Sequence, residues 1–183
     1  MATAGQVTAS DLQAMLADGA LAGSWTLDAS RSSIRLQSKS MWGLVPVKGG
    51  FREIAGAGTV SPDGQVSGTI TVAAASVDTK NAKRDTHLRS AEFFDADAHP
   101  DITVSVEGLA PASQGVTGTG TLTVRGRTRP LTFGATVSTV DTGEIWLDAE
   151  IQVNRADYGM TWSPMRMASM DNTITIHAVF TRS

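Results

Sequence analysis

Cysteine is absent from this chain. Disulfides, thiolate nucleophiles and cysteine metal sites are excluded together, while the redox compartment stays undetermined. Charge is sparse: 18% of residues are Asp, Glu, Lys or Arg, the formal net charge is -3, and no run of basic residues appears. Without such a run there is no counter-ion-releasing patch, so no nucleic-acid partner is expected. No apolar stretch approaches the roughly 20 residues of a membrane-spanning helix, so no integral membrane segment is expected either. The N-terminal MATAGQVTASDLQAMLADGALAG lacks the basic start and continuous apolar run of a secretory signal. It leads to the expectation of a cytoplasmic protein, periplasmic or secreted only if the N-terminus was trimmed.

What is present is a chain of 183 residues, 41% hydrophobic, long enough for one domain with its own core. The division expected is an extension over 1–23 and a domain over 24–183. Leu12, Met15 and Leu16 fall at helical spacing, predicting a short helix over Ser10–Ala17, capped by Ser10 or Thr8 and packed outside the main body. From Trp25 onward the period becomes two. Ile34 and Leu36 alternate with Arg35 and Gln37; Ile70 and Val72 with Thr69 and Thr71; Ile102, Val104 and Val106 with Thr103, Ser105 and Glu107. Leu122 and Val124 follow, then Leu131, Phe133, Ala135 and Val137, then Ile145, Leu147, Ile151 and Val153 with Asp148 on the opposite face, then Ile174, Ile176, Ala178 and Phe180. Each segment reads as a half-buried strand. Turn chemistry at Ser61-Pro62-Asp63-Gly64, Arg125-Gly126 and Asp141-Thr142-Gly143 makes successive strands antiparallel neighbours.

About eight such strands form an all-β antiparallel barrel or a sandwich, and periodicity alone does not choose between them. Inward faces built from Val, Ile and Ala favour a barrel wide enough for one ligand; the alternative is that loops and the N-terminal helix plug the space.

The dense charge lies in AKRDTHLRSAEFFDADAHPDI, from Ala82 to Ile102. Asp95, Asp97 and His99 alternate, yet a calcium loop would need Gly and Glu where Pro100 and Val106 stand. His87, His99 and His177 have no zinc-ligand spacing. No metal and no cofactor are expected. Arg84, Asp85 and His87 could serve a lipid- or quinone-dependent enzyme. On a helical crossover around 80–90, however, Arg84, His87 and Leu88 share one face while Asp85 and Arg89 form an i, i+4 pair on another. A third reading places Leu88, Phe93 and Phe94 with Arg84 and His87 at the mouth of a lumen that takes an apolar chain. A fourth makes the chain an interaction module, using the Met-rich MTWSPMRMASM from Met160 to Met170.

RDTHLRSAEFFDADAHPDITV closely resembles the hallmark of the YceI-like family of polyisoprenoid-binding, lipocalin-like barrels. Three further stretches are similar in order: the opening pattern at Trp25, Asp28, Val47, Gly49 and Phe51, the hairpin GTLTVRGRTRPLTF, and the closing VNRADYGMTW. The resemblance implies a lipocalin-like barrel of about eight strands holding a long isoprenoid, quinone-like or other long-chain lipid, without catalysis. Candidate lumen residues are then Leu36, Phe51, Ile70, Leu88, Phe93, Phe94, Ile102, Val104, Leu122, Phe133, Tyr158 and Trp162, with Arg84 and His87 at the headgroup end. A homodimer is a further expectation. Arg31 and Ser40 stand where the family often has His, so no headgroup preference carries over through them.

Overall fold

The computed structural model describes residues 5–140 and 143–183. Helix α1 (Ala9–Ala17) begins where the Thr8 hydroxyl accepts the Asp11 amide and donates to the Asp11 carboxylate, satisfying a donor that a helix start leaves orphaned. The helix is not packed outside the body, the first expectation from its sequence, but acts as the plug that was the alternative, at one end only. Leu12 and Leu16 are buried and plug one end of the barrel. An apolar stripe tells that one helix face is covered but not by what, and an open barrel end lined with carbon is a surface water leaves readily. The short strand β1 (Gly5–Gln6) and the Val7 amide, donating to the Val137 carbonyl, tie this plug to the wall.

The wall is antiparallel throughout: β2 (Gly23–Leu27), β3 (Ser33–Ser40), β4 (Val45–Phe51), β5 (Ile54–Val60), β6 (Val66–Ala73), β7 (Val77–Asp78), β8 (Asp101–Pro111), β9 (Val116–Val124), β10 (Arg127–Val140), β11 (Glu144–Asn154) and β12 (Asp171–Arg182). These segments make eight staves because three staves are broken. β2 and β3 run in line along one edge of β12, pairing with Phe180–Arg182 and Thr173–His177 respectively. β5 and β4 follow on the next stave, β6 and β7 on the one after. The ring continues through β8, β9, β10 and β11 and closes where β11 meets β12. Closure leaves the main wall with one open stretch of edge, at β7, which pairs with β4 alone.

Glycines let the wall curve and fill. Gly118 lies opposite Phe133, and a Cβ there would stand 2.3 Å from the ring's Cζ, so the ring occupies the space a side chain would need. At Gly120 a Cβ would meet the Ser105 carbonyl oxygen at 1.9 Å, beside the bulge between Val106 and Gly108.

The β2–β3 break is held by Asp28. Its carboxylate accepts from the Ser30 hydroxyl and from Arg31 Nε at 2.8 Å, and Arg31 reaches on to Glu144 at 2.9 Å. These partners, the Ser30 hydroxyl first, lower the Asp28 pKa to about 2. A depressed carboxylate stabilises the fold fully above its unfolded value of about 4 and loses that contribution as pH falls through the folded value. Thermal midpoints measured across this window should therefore fall less steeply for Asp28→Asn than for the parent. Identical acid slopes would remove Asp28 from the joint.

Candidate functional site

Beyond Ala73 the β6–β7 stave bends away from β8, and the gap is filled by residues 79–100 with helix α2 (Ala82–Arg89). Asn81 caps this helix by accepting the Arg84 amide at 3.0 Å. The predicted pairing of Asp85 with Arg89 does not occur. Buried Asp85 accepts from the Thr79 amide at 2.9 Å and the Thr79 hydroxyl at 2.6 Å. Arg89 instead donates to the carbonyls of Ala75 at 2.8 Å and Val77 at 3.2 Å. Ala75, in the 3-10 turn over Ala74–Ser76, and Val77, on β7, have no β8 partner on this side, and an arginine fork supplies the missing donors. Arg84 also reaches back, to the Thr79 hydroxyl at 2.7 Å and its carbonyl at 3.0 Å. Just before the helix, Asp78 sits between Lys80 and Arg52, and these hydrogen bonds, that of the Lys80 ammonium first, hold its carboxyl well below the usual range.

Inside the wall lie two chambers that share Ile70, Val104, Ile151 and Ile176 as a waist. The lower chamber, a cavity of about 130 Å³, ends on Leu12, Leu16, Leu21 and Trp25 and is walled almost wholly by carbon. The upper chamber, a cavity of about 290 Å³, gathers the polar lining: Arg84, His87, Arg155 and Asn172 with Ser38 and Ser40. Of the predicted lumen and mouth residues, Leu36, Phe51, Ile70, Leu88, Phe93, Phe94, Ile102, Val104, Leu122, Tyr158, Trp162, Arg84 and His87 all border this upper chamber. Phe133 does not; it lines the lower one.

At the mouth, aromatic rings form a cluster. The His87 and Trp162 centroids are 4.4 Å apart, edge to face, with Phe93 at 5.1 Å from His87 and 5.6 Å from Trp162. His87 Nε2 is paired with the Glu92 carboxylate, so His87 and Asp85 hold different partners. Buried Arg155, which the sequence reading passed over, is the central anchor of this end. It donates to the carbonyls of Met160 at 2.6 Å, Ser169 at 2.8 Å and Ala168 at 3.4 Å, and lies 5.4 Å from the centre of the Phe93 ring. Burial lowers its pKa. The signal for it was present, since a lone arginine ending an apolar strand in VNRADYGMTW has no surface reason to be there. Asp95, Asp97 and His99 do not converge: among the described residues no group of three carboxylate, imidazole or thiol side chains comes together as a metal site. Nor, among them, is any helix long and apolar enough to cross a membrane.

A closed antiparallel barrel with an apolar floor and a polar mouth is the lipocalin-like architecture. Within that class the chain belongs to the YceI-like domain family, which matches residues 25–181. Its similarity to the UPF0312 protein SAS2572 of Staphylococcus aureus is 28% identity over 147 residues, 76% of this chain and 83% of that protein. Among solved structures, BcnA of Burkholderia cenocepacia superimposes with a TM-score of 0.76 at 23% identity, covering 84% of this chain and 98% of BcnA. A domain from Saccharophagus degradans described as polyisoprenoid binding gives 0.71 at 18% identity, covering 87% and 98%. The YceI protein of Campylobacter jejuni gives 0.66 at 24%, covering 76% and 87%.

Proposed function

We propose that the chain binds a long-chain isoprenoid or related amphiphilic lipid, quinone-like lipids included, as a carrier, storage or sequestration protein. The observation that carries this reading is the apolar lumen, carbon-walled at the floor, with its few polar side chains gathered toward the mouth. Two largely apolar chambers meeting at a shared waist suit a long tail rather than a compact polar metabolite. Each methylene buried there contributes about 0.8 kcal/mol, so tail length supplies affinity and the mouth has only to accommodate the head. The Saccharophagus neighbour, described as a polyisoprenoid binding domain, lends the same reading independent support. An enzymatic use of Arg84, Asp85 and His87 is disfavoured by their partners, because Asp85 is committed to Thr79 and His87 to Glu92.

Native mass spectrometry of the purified chain, followed by solvent extraction, tests the proposal. A lipid released in stoichiometric amount is the expected result. A protein that emerges empty and takes up no added polyprenyl lipid would refute it.

A further inference from the structure

The mouth is surrounded by side chains that the fold does not bury. The β3–β4 hairpin tip exposes Met41, Trp42 at 65%, Leu44 at 81% and Val45, and the loop after Tyr158 exposes Met165 at 77%. The two segments are stitched together: the Trp42 amide donates to the Met167 carbonyl at 3.2 Å and the Ser169 amide to the Lys39 carbonyl at 2.8 Å. Lys39, Ser40, Trp162 and Ser169 of the same segments line the upper chamber, so the apolar rim and the lumen are continuous. Met41, Trp42, Met165 and Arg166 all sit at positive φ, between 51° and 58°. Bulky residues are strained there, and strain in side chains that contribute nothing to the core points to a use outside it.

Charge identifies what the rim meets. Residues 38–48 and 159–170 contain Lys39, Lys48 and Arg166 and no carboxylate. Across the whole mouth end, segments 38–48, 78–101, 124–129 and 154–171 carry eleven of the fifteen Lys and Arg and eight of the eighteen Asp and Glu, a net +3. The rest of the chain holds four and ten, a net -6. A protein that is acidic overall thus presents a cationic end carrying a tryptophan, a leucine and a methionine in water. Tryptophan settles at the boundary between headgroups and acyl chains, and lysine and arginine are drawn to anionic lipid.

We propose that this rim is a membrane-docking surface that seats the mouth of the barrel on an anionic bilayer. The arrangement puts Trp42 and Leu44 among acyl chains, with Lys48 and Arg166 at headgroup level. The charge asymmetry orients the barrel mouth-first during approach. The inference stands on the rim's own chemistry and adds a partner to the lumen reading.

Co-sedimentation of the full chain with phosphatidylcholine vesicles containing phosphatidylglycerol tests it. Binding should be clear with these vesicles, weaker with phosphatidylcholine alone, and reduced by added salt. Trp42→Ser with Leu44→Ser, and separately Lys48→Glu with Arg166→Glu, should each weaken binding by about tenfold or more. All four side chains are outside the core, and circular dichroism should show both variants folded. Equal binding by parent and variants, or no binding by the parent, overturns the proposal. A solution dimer that falls apart in the Trp42→Ser, Leu44→Ser variant without any vesicle binding also overturns it, assigning the rim to a second copy of the chain. Vesicle binding by protein that emerges empty and takes up no added polyprenyl lipid upholds the rim and removes the lumen reading alone; bound lipid without vesicle binding does the converse.

Discussion

Phe133→Asp should abolish lipid uptake. The ring lies in the lower chamber, buried to 8% exposure and packed over Gly118, where no neighbouring side chain can take its place. Replacing it introduces a carboxylate with no cation among the residues lining that chamber. A buried charge without a partner costs several kcal/mol, and the lost ring adds about 3 kcal/mol or more of packing. Much of the charge penalty is relieved if water enters with the carboxylate, and a wet chamber no longer attracts a hydrocarbon tail. Phe133→Leu separates the two effects: it keeps an apolar wall and should retain uptake at some loss of stability. Asp148→Asn is the matching control on the outer face, where the carboxylate meets His177 Nδ1, and should leave uptake unchanged. Fluorescent polyprenyl-analogue titrations on variants shown folded by circular dichroism decide the matter. A folded Phe133→Asp protein that binds like the parent would place the tail elsewhere.

Arg155→Met should be the most damaging single change at the mouth. Methionine fills much of the arginine's volume but donates nothing, so the carbonyls of Met160, Ser169 and Ala168 lose their shared donor. An unsatisfied buried carbonyl costs about 1–3 kcal/mol, and not all three can turn to water without the loop moving. The expected result is a loss of about 2–4 kcal/mol in denaturant unfolding together with a changed near-ultraviolet signal from Trp162, whose ring packs on His87 and Phe93. Arg155→Lys should recover little, because a single ammonium cannot spread over three carbonyls as a planar fork does. A Met variant as stable as the parent, with its Trp162 signal intact, would show that the loop holds itself.

These two residues also mark how far the sequence could be read. Phe133 was legible as inward-facing because Leu131, Phe133, Ala135 and Val137 alternate cleanly, and all four are buried. Its depth was not legible, since alternation gives the face of a sheet and says nothing of position along the barrel axis. The residues of α2 and the Phe pair border one chamber because they are local in sequence, and a local segment moves as one piece. Asp85 and Arg89 do pin the crossover, but their expected pairing with each other was wrong for the complementary reason. Helical spacing makes them neighbours, but the carbonyls of Ala75 and Val77 and the Thr79 donors lie in and around β7, in an arrangement that only the completed barrel reveals. The breaks between β2 and β3, β4 and β5, and β6 and β7 were equally hidden, because each half keeps its own two-residue period.

The helical plug has a consequence for how length is measured. Leu12, Leu16 and Leu21 form the floor of the lower chamber, yet they precede residues 25–181, the part shared with the family. The wall fixes the bore, but the stop at the bottom of the bore belongs to a separate piece of chain. A larger side chain at Leu12 or Leu16 shortens the gauge without touching a single strand, and a smaller one lengthens it. One barrel can in this way be cut to different depths by its first turns alone.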